Sequence, residues 1–130
     1  MKTLLRFLVL VAGVSIVAGP LLAHHGRGAT YDTKLVTLKV TITEVGWRNP
    51  HISFWADVKD SNGKVVNWGF EGPNVSTLTR QGITRNTLKV GQEINVTFLP
   101  ARIGSAVGLV RGLSQLDGKR IFSQELNAIE

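Results

Sequence analysis

Apolar and polar residues alternate with period two along most of this chain. Val36, Leu38, Val40 and Ile42 alternate with Thr37, Lys39, Thr41 and Thr43, and the β-branched content predicts a strand with one face in a core. The phase slips between Glu44 and Gly46, where Val45 and Trp47 fall on the side the threonines held. A glycine beside a phase change predicts a bulge or a sharp bend. A second strand follows the Asn49-Pro50 turn, with Ile52, Phe54, Ala56 and Val58 inward and His51, Ser53, Trp55 and Asp57 outward. Asp60-Ser61-Asn62-Gly63 carries the Asn-Gly signal of a tight hairpin. It leads to a third strand, Val65 to Glu71, with Val66, Trp68 and Phe70 inward.

The period then changes. Val75, Leu78 and Ile83 have helical spacing, Asn74 is placed to cap and Gly82 to stop, which predicts one short helix over Val75 to Gln81. Thr84 to Gln92 is a connector in which Leu88 and Val90 are expected to plug a barrel end. Glu93 to Leu99 is a fourth strand with Ile94, Val96 and Phe98 inward. Ser105 to Leu116 is a fifth, with Val107, Leu109 and Leu113 as apolar points and Gly108 and Gly112 as bends. Asp117-Gly118 is another tight-turn signal, and Lys119 to Phe122 a short edge strand. The order, three strands, a short helix and two strands, predicts an all-β fold with small α content, a five-stranded OB-like barrel.

The N-terminus has a different texture. Lys2 and Arg6 precede an apolar run from Phe7 to Val17, and Gly19-Pro20 breaks it before Leu21-Leu22-Ala23. That is the pattern of a secretory signal peptide over residues 1–23. The rival is an uncleaved anchor, but the run falls short of the ~20 residues a spanning helix needs. Cleavage after Ala23 leaves 107 of the 130 residues, and Ala18 or Gly19 are alternative cut points. The domains expected are then the leader, an arm over 24–33, the barrel over 34–122 and a tail over 123–130. Lys2 and Arg6 account for two units of the formal net charge of +6, leaving +4 with the bases spread without a run. Nucleic-acid binders concentrate their bases on one face, so that partner is not expected. The absence of cysteine excludes disulfides, thiolate metal sites and a lipid-modified cysteine. A periplasmic or secreted protein with no stable membrane anchor after cleavage is expected.

The motifs His24-His25, Tyr31-Asp32, Val36-Thr37-Leu38-Lys39, Trp47-x-Asn49-Pro50-His51, Asp60-x-Asn62-Gly63-Lys64, Trp68-x-x-Glu71-Gly72, Leu88-Lys89-x-Gly91-Gln92 and Asp117-Gly118-Lys119 carry a resemblance. Over His24 to Arg120 the chain resembles a family of small exported bacterial proteins that carries a domain-of-unknown-function label. That family looks like His-His-Ser at its mature start, and Gly26 stands here where the serine would be. The resemblance implies export and a small β-domain; it brings no activity with it.

The chemistry on offer is sparse. Ser53 and His51 share a strand face, but no third group is placed to orient the histidine. Asp57 and Glu71 would approach each other if the second and third strands pair, yet so small a barrel leaves little room for a sugar cleft. A binding module, not an enzyme, is expected. Two sites are candidates. A copper ion would be held by His24, through its free amine and imidazole, with His25 or His51 completing the site. Asp57 or Glu71 would orient an imidazole. The alternative is a metal-free ligand face of Trp47, Asn49, Trp55, Asp57 and Glu71, where an exposed indole stacks an organic ligand or meets a protein partner. A mature chain of mass beginning at His24, in the periplasmic or extracellular fraction, is the expected result of intact-mass measurement. Retention of residues 1–23 in a membrane pellet would instead mean an anchored domain.

Overall fold

The structure, a computed structural model, describes residues 30–124. Residues 1–29, including His24 and His25, and those after Gln124 lie outside the described residues. A compact unit begins at Tyr31. Its elements are β1 (Val36–Gly46), β2 (Ser53–Lys59), β3 (Val65–Glu71), α1 (Val75–Arg80), β4 (Glu93–Pro100), β5 (Val107–Ser114) and β6 (Arg120–Ser123). The sheet runs β3-β2-β1-β4-β5-β6, and a further β3–β5 pairing closes it. The five strands β1-β2-β3-β5-β4 therefore form a closed barrel. Every contact in the wall is antiparallel except β3–β5, which is parallel over Gly69↔Val107, Phe70↔Gly108 and Glu71↔Leu109. This is the OB-like barrel that the order of elements predicts.

The alternating residues fill the barrel as expected. Val40, Ile42, Ile52, Phe54, Ala56, Phe70, Ile94, Val96 and Phe98 are buried; Val36, Leu38 and Trp68 pack half-buried against them. Four aromatic rings tie three strands together. Phe54 stacks on Phe70 at 5.0 Å, and Phe98 meets the edges of Phe70 at 5.1 Å and Trp68 at 5.3 Å. Helix α1 contributes buried Leu78. Its first turn is capped by Asn74, whose Oδ1 accepts from Thr77 N at 2.8 Å, and it ends before Gly82 at φ +76°. The expected bulge in β1 is present between Ile42 and Glu44.

Three apolar residues are not where alternation puts them. Val66 has the right parity but is 37% exposed. It precedes Gly69, the first β3 residue with a β5 partner, so it lies beyond the closed part of the wall. Val90 is 68% exposed, because it sits in the turn closed by Gln92 N to Lys89 O at 3.1 Å, while Leu88 alone points inward. Val107 is 38% exposed. In the β4–β5 ladder Thr97 pairs with Gly112 and Phe98 with Val110, which leaves Arg111 as an extra residue. That bulge reverses the phase: Gly108 and Val110 face in before it, Leu113 after it, and Val107 faces out.

Gly108 lies inside continuous β5, and its lack of a side chain has a packing reason. A Cβ there would collide with the Phe98 ring. The hairpins differ from the tight two-residue form. Asp60 N bonds Lys64 O at 2.9 Å, so the β2–β3 loop is Ser61-Asn62-Gly63, with Gly63 at φ +80°. The Asp60 carboxylate accepts from Asn62 N and Lys64 N at 2.9 Å each, and holds the longer loop closed. Strand β6 adds buried Phe122 to the core.

Replacing Phe54 by alanine removes a ring that is 0% exposed and is expected to cost ~3–5 kcal/mol. Thr41→Ala, on the outer side of β1, is expected to cost less than about 1 kcal/mol. Paired urea melts check both, and equal costs would contradict the inward–outward assignment.

Candidate functional site

The outer face of β2 and β3 carries the least ordinary surface of the barrel. Trp55 is out of phase with the core and 38% exposed. Its cross-strand partners are Glu44 on β1 and Gly69 on β3. The indole lies across both neighbours. A Cβ on Gly69 would stand 3.3 Å from Trp55 Nε1, and one on Gly46 would stand 3.9 Å from Cζ3. Glycine on both flanking strands thus leaves room for the ring, closely at Gly69 and loosely at Gly46, where Ser53 Oγ is the nearer neighbour. Beyond Gly69 the next residue across the sheet is Val107, which extends the apolar strip from β2 to β5.

Polar groups border this strip. Asn67 Nδ2 donates to Asp57 Oδ1 at 2.8 Å and to Thr43 Oγ1 at 3.0 Å, which fixes one flank. On the other flank, Glu71 pairs with Ser53, and the Tyr31 hydroxyl donates to Glu71 Oε2 at 3.4 Å. Asp57 and Glu71 are therefore not brought together by strand pairing. They stand on opposite sides of Trp55, four residues apart in register, roughly 13 Å along the strand. Tyr31 is itself tied down: it bridges Ala101, and its carbonyl accepts from Arg102 Nε at 2.7 Å. The described end of the arm runs beside Pro100 and Ala101, and α1 sinks Leu78 into the core.

The remaining candidates lie in the β1–β2 loop. Trp47 turns toward the core and packs half-buried against it, whereas Asn49 is exposed before a cis peptide to Pro50. His51 is half-buried and one residue ahead of Ile52, which bonds Pro73 O through its amide at 3.1 Å. It is in phase with Ser53 and Trp55, at the Glu71 end of the face. Among the described residues, no three His, Cys, Asp or Glu side chains gather as metal ligands. His24 and His25 lie outside the described residues. Sequence reasoning missed the flanking glycines and the frame: Gly46, Gly69, Glu44, Thr43, Asn67 and Val107. Gly69 was legible as an outward residue of β3; that it lies opposite Trp55 depends on the loop length. Among the described residues, no helix is long and apolar enough to cross a membrane.

The chain belongs to a family of unknown function, DUF6152, whose model matches residues 11–111. Neither the curated proteins nor the solved structures contain a match to it.

The close approach at Gly69 makes a specific demand. Gly69→Val places three carbons beside the indole, and is expected to lift the ring while leaving the strands intact. In a ¹H–¹⁵N spectrum the Trp55 indole N–H resonance should move, and circular dichroism should not. An unmoved indole would mean that the ring does not rest on β3.

Proposed function

We propose that this member of the family is an exported binding module that holds a small organic ligand on the outer face of β2 and β3, against Trp55. The observation that carries the reading is the indole itself: a large apolar ring, 38% exposed, with glycine on both flanking strands and a hydrogen-bonded polar frame beside it. Exposed aromatic rings on this face of OB-like barrels are stacking platforms, and the loops after β1 and β4 border the same surface. The apolar strip of Trp55 and Val107 is small and ringed by polar side chains, which suits a small molecule better than the broad core of a protein interface. Export rests on the leader pattern at residues 1–23, and nucleic acid is disfavoured by the dispersed charge.

A second reading, copper held by His24 with His25 or His51, draws support from Tyr31. The arm ends beside Glu71, at the His51 end of the face, and the roughly seven residues back to His24 span up to ~23 Å when extended. One titration series separates the two. Organic ligands added with a chelator present should shift the Trp55 indole N–H, and Trp55→Ala should abolish the response without loss of fold. Hits that perturb only residues elsewhere would overturn the face. Cu(II) added without chelator to the protein starting at His24 should bind at least ~10-fold more weakly after His51→Ala. Binding no tighter than that of a free His-His-Gly peptide would remove the copper site.

A further inference from the structure

We infer that the ligand taken against Trp55 is an organic cation, a compact ammonium head that sits on the face of the indole. The inference rests on the ligand-face reading above and names its ligand class. It comes from the strand register. Glu44 stands directly opposite Trp55 on β1, where facing side chains begin about 4.5–5.5 Å apart. Asp57 is two residues along β2 on the same face, and Glu71 is diagonally across on β3, each about 7–8 Å away. The other ladder positions adjoining the ring are glycine, serine and asparagine. Three carboxylates therefore surround one indole, and no base occupies an adjoining ladder position.

That pattern runs against the rest of the molecule. The chain carries 15 Lys and Arg against 9 Asp and Glu, so an unselected patch of its surface would be basic. Bases lie further out: Lys59 ends the outward row of β2, two residues beyond Asp57, and others are engaged elsewhere or in loops. Lys39 pairs with Glu93 at 3.0 Å, Arg102 Nε is spent on Tyr31 O, and Arg48 lies in the β1–β2 loop. Among the described residues the Glu44 carboxylate has neither a hydrogen bond nor an ion pair. A bound cation would give that carboxylate an opposite charge to pair with.

The two halves of the arrangement suit the same guest. An indole attracts a cation over its face through the ring quadrupole, and the Trp55 ring is exposed enough to meet one. The carboxylates supply the opposite charge around the rim. The Asn67 amide, held by Asp57 and Thr43, keeps one of them in place. A neutral sugar would gain the stacking but nothing from three like charges. An anion would be repelled.

Choline and its neutral isostere 3,3-dimethylbutan-1-ol share shape and differ in charge, which makes them the deciding probes. Each is titrated into ¹⁵N-labelled full-length mature protein, with sodium chloride matched for ionic strength, and with methyl glucoside as a third arm. Choline should shift the Trp55 indole N–H saturably, and the isostere should bind at least about fivefold more weakly. Glu44→Gln, at an exposed position without partners, should fold as the parent does and weaken choline about two- to fivefold. Equal binding of choline and the isostere, or a choline response no larger than that of sodium chloride, would overturn the cation. A shift of the same indole by methyl glucoside, with none from choline, would overturn it as well and leave the ligand face standing. Silence of Trp55 to all three probes would remove both.

Discussion

Three parallel residue pairs between β3 and β5 decide whether this chain has an inside. Without them the sheet order β3-β2-β1-β4-β5 is an open ribbon with raw edges, and the alternation of apolar residues along it has nowhere to be buried. Closure converts that alternation into a core and a surface. It also sets a steric condition at one point, where β5 crosses the aromatic group of Phe54, Phe70, Trp68 and Phe98. There the wall comes so close that only a hydrogen fits above the Phe98 ring, and position 108 is glycine.

The same device serves the opposite surface. Gly108 lets a ring approach the wall from within, and Gly46 and Gly69 let one lie on it from without. Closure links the two, because Gly69 and Gly108 each take part in the β3–β5 pairing. The ladder that seals the core is therefore also the ladder that sets Val107 beside Gly69. Ring packing of this kind is apolar and undirected. Direction comes from the carboxylates and the amide around it, whose positions are set by register rather than by loops.

Much of the barrel was legible because its signals are local. Period two along β1, β2 and β4, the Asn74 cap and the glycine at the end of α1 need no knowledge of distant residues. The inward set of β5 was legible only in part: Leu109 and Leu113 are buried as read, but Val107 is not, because the bulge at Arg111 reverses parity and no residue type announces it. Val66 shows a related limit: parity was right, but where the closed wall ends depends on the β5 pairing. Most telling is the β2–β3 loop. A two-residue Asn-Gly turn would pair Trp55 with Phe70; the Asp60 carboxylate holds a three-residue loop instead, and Trp55 meets Gly69. One residue of loop decides whether the platform exists. Exposure of Trp55 was legible from phase, but its glycine neighbours were not.

The pairings also set an order of events during synthesis. Val36 waits for Phe98, Gly69 for Val107 and Leu113 for Phe122, so the wall joins the first strand to nearly the last. A nascent chain that has reached residue 90 can form the β1-β2-β3 meander, with Phe54 and Phe70 lacking the Phe98 edge that covers them. Its apolar face stays open until β4 and β5 have emerged, and Phe122 on β6 arrives later still. Such long-range closure folds slowly and leaves sticky intermediates exposed meanwhile. The barrel is consequently a fold that closes only once β5 is available, rather than strand by strand as the chain is made.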